Sequence, residues 1–92
     1  MKNSIGGFEI LLEPRVQERD LPKISLDWRL KIKLAIYGKL SKHPTLYGKP
    51  LRHSLHGFFK LRVGDYRVIF SVSGNKVIIA TIRHRKDGYD DL

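Results

Sequence analysis

Apolar residues recur with a period of two from Phe59 to Phe70, in the second half of the chain. Three segments of this half are rich in β-branched and aromatic residues: Phe58–Val63, Tyr66–Val72 and Val77–Arg83. Gly64-Asp65 separates the first two segments, and residues 73–76 separate the last two. Connections this short join antiparallel neighbours. The pattern therefore predicts three consecutive antiparallel strands.

The first half of the chain predicts one strand followed by two helices. Residues 8–12 form an apolar run, and Pro14 suits the first turn of a short helix that ends near Leu21. Ser25 is a favourable N-cap for a longer helix that extends to about Ser41.

This longer helix is predicted to be amphipathic, with a basic outer side. Its apolar stripe falls at helical spacing on Leu26, Leu30, Leu34 and Tyr37. Trp28 and Tyr37 are interpreted as packing residues. Residues 45–57, which include two glycines and a proline, are predicted to form a loop. The element order is therefore β-α-α-β-β-β, and we predict a small single α+β domain over residues 1–92 in which an antiparallel sheet packs on a helical hairpin.

A two-residue turn at Gly64-Asp65 fixes the register of the first predicted hairpin. It pairs Arg62 with Arg67, so that alternation places Lys60 beside both arginines on the face away from the helices. Like charges opposite one another destabilise a sheet, so this cluster indicates an anion-binding site. The alternative is a solvated basic face that protects the sheet from aggregation. The cluster would be extended by four residues from the end of the last strand onward: Arg83, His84, Arg85 and Tyr89.

The charge balance supports a polyanionic partner. Eighteen basic and nine acidic residues give a net charge of +9, and residues 28–63 contain no acid. Such a balance is typical of nucleic-acid binding, although an acidic protein partner would also satisfy it. The sequence has no cysteine and no apolar run long enough to cross a membrane, so we expect a cytoplasmic protein.

Several other chemistries lack the residues that they need. His43, His53 and His56 show no metal-ligand spacing, no carboxylate pair suits two-metal chemistry, and no phosphate-binding glycine loop is present. We therefore expect no metal and no cofactor. His84 differs from the other histidines because it lies between arginines, where a neutral imidazole could act as an acid or a base.

Two long segments resemble the toxins of the RelE/ParE superfamily. The first runs from Lys49-Pro50-Leu51-Arg52 through the stretch LHGFFKLRVGDYRVIF at residues 55–70, and the second is IRHRKDGY at residues 82–89. The resemblance implies a fold of the microbial ribonuclease type and a toxin of a type II toxin–antitoxin pair. RelE-like members cleave mRNA in the ribosomal A site without a metal, whereas ParE-like members poison DNA gyrase.

Matched residue by residue, the resemblance implies roles for four positions. Lys60 matches a catalytic lysine, Arg67 a phosphate-binding arginine, Arg85 a second catalytic arginine and Tyr89 a terminal tyrosine. His84 is a reserve acid or base. One position departs from the pattern, because Phe58 stands where some RelE enzymes have a further lysine.

We therefore expect a metal-independent endoribonuclease in which an RNA 2′-OH attacks the adjacent phosphate. Expected partners are mRNA, the ribosome with its 16S rRNA, and a small acidic antitoxin in a heterodimer or heterotetramer. Two alternatives are a ParE-like gyrase inhibitor and a degenerate, non-catalytic member. Residues expected to contact RNA outside the catalytic set are Arg62, Arg83, Lys49, Arg52 and Lys42.

Overall fold

The protein is built on one five-stranded mixed sheet. The computed structural model describes residues 7–87. The strands lie in the order β1-β5-β4-β3-β2. Their bounds are Glu9–Leu12 for β1, Lys49–Pro50 for β2, Phe59–Val63 for β3, Tyr66–Ser73 for β4 and Lys76–His84 for β5. The predicted α+β class is confirmed.

Helical segments cover one face of this sheet. A π-helical segment at Val16–Asp20 leads through a 3₁₀ turn at Leu21–Lys23 into α1, Leu26–Ala35, which continues as a π-helical turn over Ile36–Leu40. The Ser25 side chain caps α1 by accepting a hydrogen bond from the backbone N–H of Trp28 (3.4 Å). Within residues 7–87, none of the helices has both the length and the hydrophobicity that crossing a bilayer requires.

Both hairpins turn on a glycine with a positive φ. The φ is +59° at Gly64 and +61° at Gly74. Positive φ at the first central residue alone is typical of type II′ turns, whose twist suits a hairpin. The predicted register of the first hairpin is confirmed, with Arg62 opposite Arg67. The second connection is tighter than predicted, because Ser73 pairs with Lys76 across a two-residue turn.

The remaining strand pairings were not visible in the pattern. β1 lies parallel to β5, so the sheet is mixed rather than purely antiparallel. The predicted loop over residues 45–57 is wrong in part, because it holds the end of a short helix, α2 (Pro44–Tyr47), strand β2, and a 3₁₀ turn at His53–Leu55. Elements of two to four residues are too short to show a hydrophobic period.

The core lies between α1 and the sheet, and α1 presents a different face to it than predicted. Ile32, Ile36 and Leu40 are buried, and Trp28 packs against them. The leucine stripe of α1 instead points to solvent: the exposed fractions are 75% for Leu26, 57% for Leu30 and 64% for Leu34. Both sets of residues recur at helical spacing, so periodicity alone could not choose between them.

One carboxylate closes the open edge of β5. β1 pairs only with residues 76–79, so the edge beyond them would otherwise expose unpaired N–H groups. Asp20, whose exposed fraction is 9%, accepts hydrogen bonds from the backbone N–H of Ile82 and the hydroxyl of Thr81, each at 2.9 Å. These hydrogen bonds fix the first helical segment to the end of the strand from which Arg83 projects.

Substitution of the two turn glycines tests how closely the turn at Gly64 packs against Trp28. A Cβ added at Gly64 would lie 2.7 Å from Cζ3 of Trp28, whereas one added at Gly74 would meet nothing within 4 Å. We expect Gly74→Ala to lower the free energy of unfolding by about 1–2 kcal/mol, through backbone strain alone. Gly64→Ala should cost roughly 1–3 kcal/mol more, because the indole must move.

The measurement is urea denaturation followed by fluorescence of Trp28, the single tryptophan. Its emission should change in folded Gly64→Ala and stay constant in folded Gly74→Ala. Equal losses of stability in the two variants would contradict the close approach of this turn to the indole.

Candidate nucleic-acid interface

Cationic side chains form two rows across the face of the sheet that lies away from the helices. One row crosses three strands, because Arg62 pairs with Arg67 and Arg67 pairs with Arg83. The second row is shorter and joins Lys49 of β2 to Lys60 of β3. Strands lie about 4.8 Å apart, so each row places positive charges within reach of a single phosphodiester. The predicted cluster on this face is therefore confirmed as an arrangement.

Lys60 lies at the centre of this cluster and is half-buried. Burial lowers the pKa of its ammonium group, and the charges of Arg67, Lys49 and Arg62 lower it further. Arg62 and Arg67 are the two arginines that the predicted register sets beside Lys60. In the structure, burial is the largest cause of the lowered pKa, and the charge of Lys49 also contributes. The contribution of Lys49 could not be predicted, because a strand of two residues leaves no pattern in the sequence.

The turn between β3 and β4 orients the arginines. The Gly64 carbonyl accepts hydrogen bonds from Nε of Arg62 (3.4 Å) and from a terminal nitrogen of Arg67 (3.5 Å). The backbone carbonyl of Asp65 accepts a hydrogen bond from the backbone N–H of Arg85 (2.8 Å). The Asp65 carboxylate lies 3.7 Å from Nε of the same arginine. The sequence showed Gly64-Asp65 only as a turn, whereas in the structure this turn contacts the side chains of Arg62, Arg67 and Arg85.

His84 does not join these cations. It pairs with Tyr66, one position beyond the Arg67–Arg83 pair, and therefore points to the helix side of the sheet. Its ring meets the ring of Tyr66 edge-on, with centroids 4.9 Å apart. Its Nδ1 accepts the backbone N–H of Lys86 (3.0 Å). The position of His84 between two arginines in the sequence was misleading, because neighbours along a strand face opposite sides.

The other predicted site residues lie around or beyond this face. Arg52 follows β2 and Lys42 follows the π-helical end of the long helix; both are exposed. Phe58 is half-buried and directly precedes β3. Tyr89 lies outside the described residues. Within residues 7–87, no group of three histidine or acidic side chains is placed to hold a metal ion.

Comparison with known proteins places this arrangement in a family. A family model described as the ParE toxin of the type II toxin–antitoxin system parDE matches residues 11–89. The chain belongs to the RelE/ParE superfamily of type II toxin–antitoxin toxins. The resemblance seen in the sequence is thereby confirmed.

Curated relatives and solved structures of this superfamily match most of the chain. It is 36% identical to the toxin RelG of Mycobacterium tuberculosis over 73 residues, which cover 77% of this chain and 84% of the relative. A crystal structure of the toxin–antitoxin complex RelBE2 from the same organism superposes with a TM-score of 0.80 at 30% identity, covering 86% of this chain and 99% of that one. The RelB–RelE complex of Methanococcus jannaschii gives 0.68 at 28% identity, covering 87% and 95%.

The electrostatic environment of Lys60 can be tested without any assay of activity. Removing a neighbouring positive charge should raise the pKa of Lys60, and Arg67→Gln should raise it more than Arg62→Gln. In both variants the pKa should stay below its ordinary value, because burial is unchanged.

Side-chain NMR titration of the lysines measures this directly. Arg15→Gln removes the same charge from the exposed surface of the first helical segment and serves as the control. A Lys60 titration that moves equally in all three variants would contradict a local origin of the shift.

Proposed function

We propose that this toxin is a metal-independent endoribonuclease that cleaves mRNA on the ribosome. The observation that supports it most is a half-buried lysine of lowered pKa placed among arginines on an open face of the sheet. Lowering the pKa of a lysine increases the fraction of its amine that is neutral and able to take a proton, and the arginines supply positive charge that stabilises the reacting phosphate.

The reaction begins at the 2′-OH of the nucleotide before the scissile bond. The Lys60 amine takes the hydroxyl proton, and the oxygen attacks the adjacent phosphorus. The bond from phosphorus to the 5′-oxygen then breaks, and the leaving oxygen takes a proton from water, which leaves a 2′,3′-cyclic phosphate on one fragment and a 5′-hydroxyl on the other. The hydroxide that remains is neutralised by the proton that Lys60 removed from the 2′-OH. Atoms and charge balance without a metal or redox partner.

Two arginines bind the phosphate and stabilise the leaving oxygen. Arg67 is half-buried and its charge acts on Lys60, so it is placed to bind the non-bridging oxygens of the phosphate that reacts there. Arg85 is exposed and its ion pair with Asp65 is long, so its guanidinium is available to stabilise the leaving oxygen. Tyr89 stacks on a base or orients it, as the family resemblance implies.

The substrate context follows from charge and from the relatives. A net charge of +9 favours a polyanionic scaffold such as the ribosome, with 16S rRNA as the surface and mRNA as the substrate. Both are found in the cytoplasm, where we place the protein. Relatives named as RelE and RelG toxins support membership of the RelE-like branch, for which the family resemblance implies an mRNA target.

A second candidate function is inhibition of DNA gyrase. The observation that favours it is the description of the matching family model as a ParE toxin. A toxin that only binds gyrase would not depend on Lys60 or Arg67 as reacting groups, so these two residues separate the hypotheses.

Cleavage should therefore depend strongly on the two central residues. We expect Lys60→Ala and Arg67→Ala each to lower the cleavage rate by about 10²–10⁴-fold, which is the usual effect of removing a base or a charge stabiliser. Lys76→Ala, at the far end of β5, removes the same charge and should cleave at the wild-type rate.

The measurement is primer extension on a translated mRNA, with a chromosome-breakage assay alongside. Wild-type rates in both central variants would contradict the proposed roles. Intact mRNA with broken chromosomal DNA after expression of the wild-type protein would favour the gyrase hypothesis instead.

We propose that an acidic antitoxin binds on the exposed leucine stripe of α1, which consists of Leu26, Leu30 and Leu34. Other residues of α1 line an apolar groove of about 310 Å³, together with residues of the first helical segment and of β1. Arg29 and Lys33 line the groove, so an apolar helix with acidic flanks complements the surface in both respects. A second copy of this strongly basic chain would bring like charges together.

Antitoxin binding should depend on this stripe. Each buried leucine contributes about 1.5–3 kcal/mol, so we expect Leu30→Glu/Leu34→Glu to weaken the complex by at least about 100-fold. The free energy of unfolding of this variant should stay near that of the wild type, because both side chains are exposed.

Isothermal titration with the antitoxin that we expect as partner tests this expectation. Leu46→Glu, at an exposed leucine of α2, is the control and should bind normally. Equal affinity of the double variant and the wild type would show that the antitoxin binds elsewhere.

A further inference from the structure

We propose that a cavity at the open edge of β5 binds the sugar–phosphate backbone of the same RNA strand, next to the scissile phosphate. The cavity has a volume of about 630 Å³ and lies between the first helical segment, the 3₁₀ turn that follows it, and the end of β5. The proposal rests on the proposed function, because it concerns how the substrate strand continues beyond the catalytic face.

Cationic side chains dominate the lining of this cavity. They come from the first helical segment with its N-cap, the 3₁₀ turn that follows it, β5, and a 3₁₀ turn at Arg85–Asp87, and they line one space: Arg15, Arg19, Lys23, Arg83 and Lys86. Guanidinium groups bind phosphate oxygens in a bidentate manner, and they are the commonest means of holding a nucleic-acid backbone. The lining therefore has the chemistry of a phosphate site rather than that of an apolar ligand pocket.

The two carboxylates in the lining have structural tasks. Asp20 accepts two hydrogen bonds from β5, as described above, and Oδ2 of Asp87 accepts the backbone N–H of His84 (2.9 Å). Within residues 7–87, the one ion pair joins Arg85 to Asp65, which is not part of this cavity. The positive charge of the lining is therefore not neutralised by salt bridges from the described part of the chain.

Arg83 connects the cavity to the catalytic face. It pairs directly with Arg67 in the sheet and also lines the cavity. Paired residues of adjacent β-strands have Cα atoms about 5 Å apart. An RNA chain whose scissile phosphate binds Arg67 can therefore place its neighbouring phosphate at Arg83, at the entrance to the cavity.

An aromatic surface completes the cavity. Tyr66 and His84 both line it and pack edge-to-face against one another. Single-stranded nucleic acids are held by cations that follow the backbone together with rings on which bases stack. This combination favours an RNA strand over an acidic peptide. It also gives His84 a role in holding substrate instead of proton transfer.

The test measures RNA binding separately from cleavage. The probe is a single-stranded RNA of about ten nucleotides, 2′-O-methylated throughout so that it has no attacking hydroxyl. Arg19→Gln/Lys23→Gln removes two exposed cations from the cavity, and Lys39→Gln/Lys76→Gln removes two exposed cations elsewhere. Fluorescence anisotropy gives Kd across a range of salt concentrations, and thermal unfolding checks that both variants fold.

We expect the cavity variant to bind the probe about tenfold more weakly at low salt. The slope of log affinity against log salt should also fall in magnitude by roughly 0.7 for each phosphate that the variant no longer neutralises. The control variant should keep the wild-type slope and an affinity close to that of the wild type. Cleavage of translated mRNA by the cavity variant should slow because substrate binds more weakly.

The outcomes separate this proposal from the proposed function. A wild-type protein that cleaves mRNA, with a cavity variant that keeps wild-type affinity and slope, overturns the cavity while leaving the ribonuclease intact. Equal weakening in the cavity and control variants also overturns it, because this result shows charge attraction without a site. A cavity variant that binds RNA normally but no longer binds the acidic antitoxin assigns the cavity to a protein and overturns the proposal as well. Loss of RNA binding in the cavity variant alone supports the cavity even if the wild-type protein cleaves nothing.

Discussion

The two-residue turn at Gly64-Asp65 is the constraint on which the rest of the site depends. A turn of this length permits one register only, and that register sets Arg62 opposite Arg67 and Lys60 beside both. The same turn packs against Trp28, offers its carbonyl to two guanidinium groups and binds the backbone of Arg85. One additional residue in it would move every cation of β3 to the other face. Core packing and the functional face are therefore determined at the same point.

Grouping cations on one face works against the stability of the free protein. Like charges across neighbouring strands repel, and half-burial of Lys60 adds a desolvation cost that appears as its lowered pKa. The opposite face offsets this cost, because Leu61, Val68 and Phe70 alternate with the cations along the same strands and are buried. An anion bound on the cationic face relieves the repulsion, so substrate or an acidic partner stabilises the fold that it binds.

Much of the fold and the core of the site could be predicted from the sequence, because strands with period two and a short turn leave few alternatives. The register of β3 and β4, the cationic face and the capped helix at Ser25 all followed from local rules. The rest depended on tertiary contacts. Both apolar sides of α1 have the same period, and only packing shows that Ile32 faces the core while Leu30 faces solvent. Likewise, the role of Asp20 depends on a hydrogen bond to a residue 62 positions away.

The placement of these surfaces constrains how an antitoxin can inhibit the toxin. The leucine stripe lies on the outer side of the helical layer, and the residues that we propose to be catalytic lie on the far face of the sheet, with the whole core between them. One straight helix cannot cover both, since sheet and helix layers together are roughly 20 Å thick on the usual packing distances. An inhibitor anchored on Leu30 and Leu34 must therefore pass around an edge of the sheet to block Lys60. At the β5 edge such a segment would cross the cations that we assign to the RNA backbone, so acidic residues there would compete with RNA before the segment reaches Lys60.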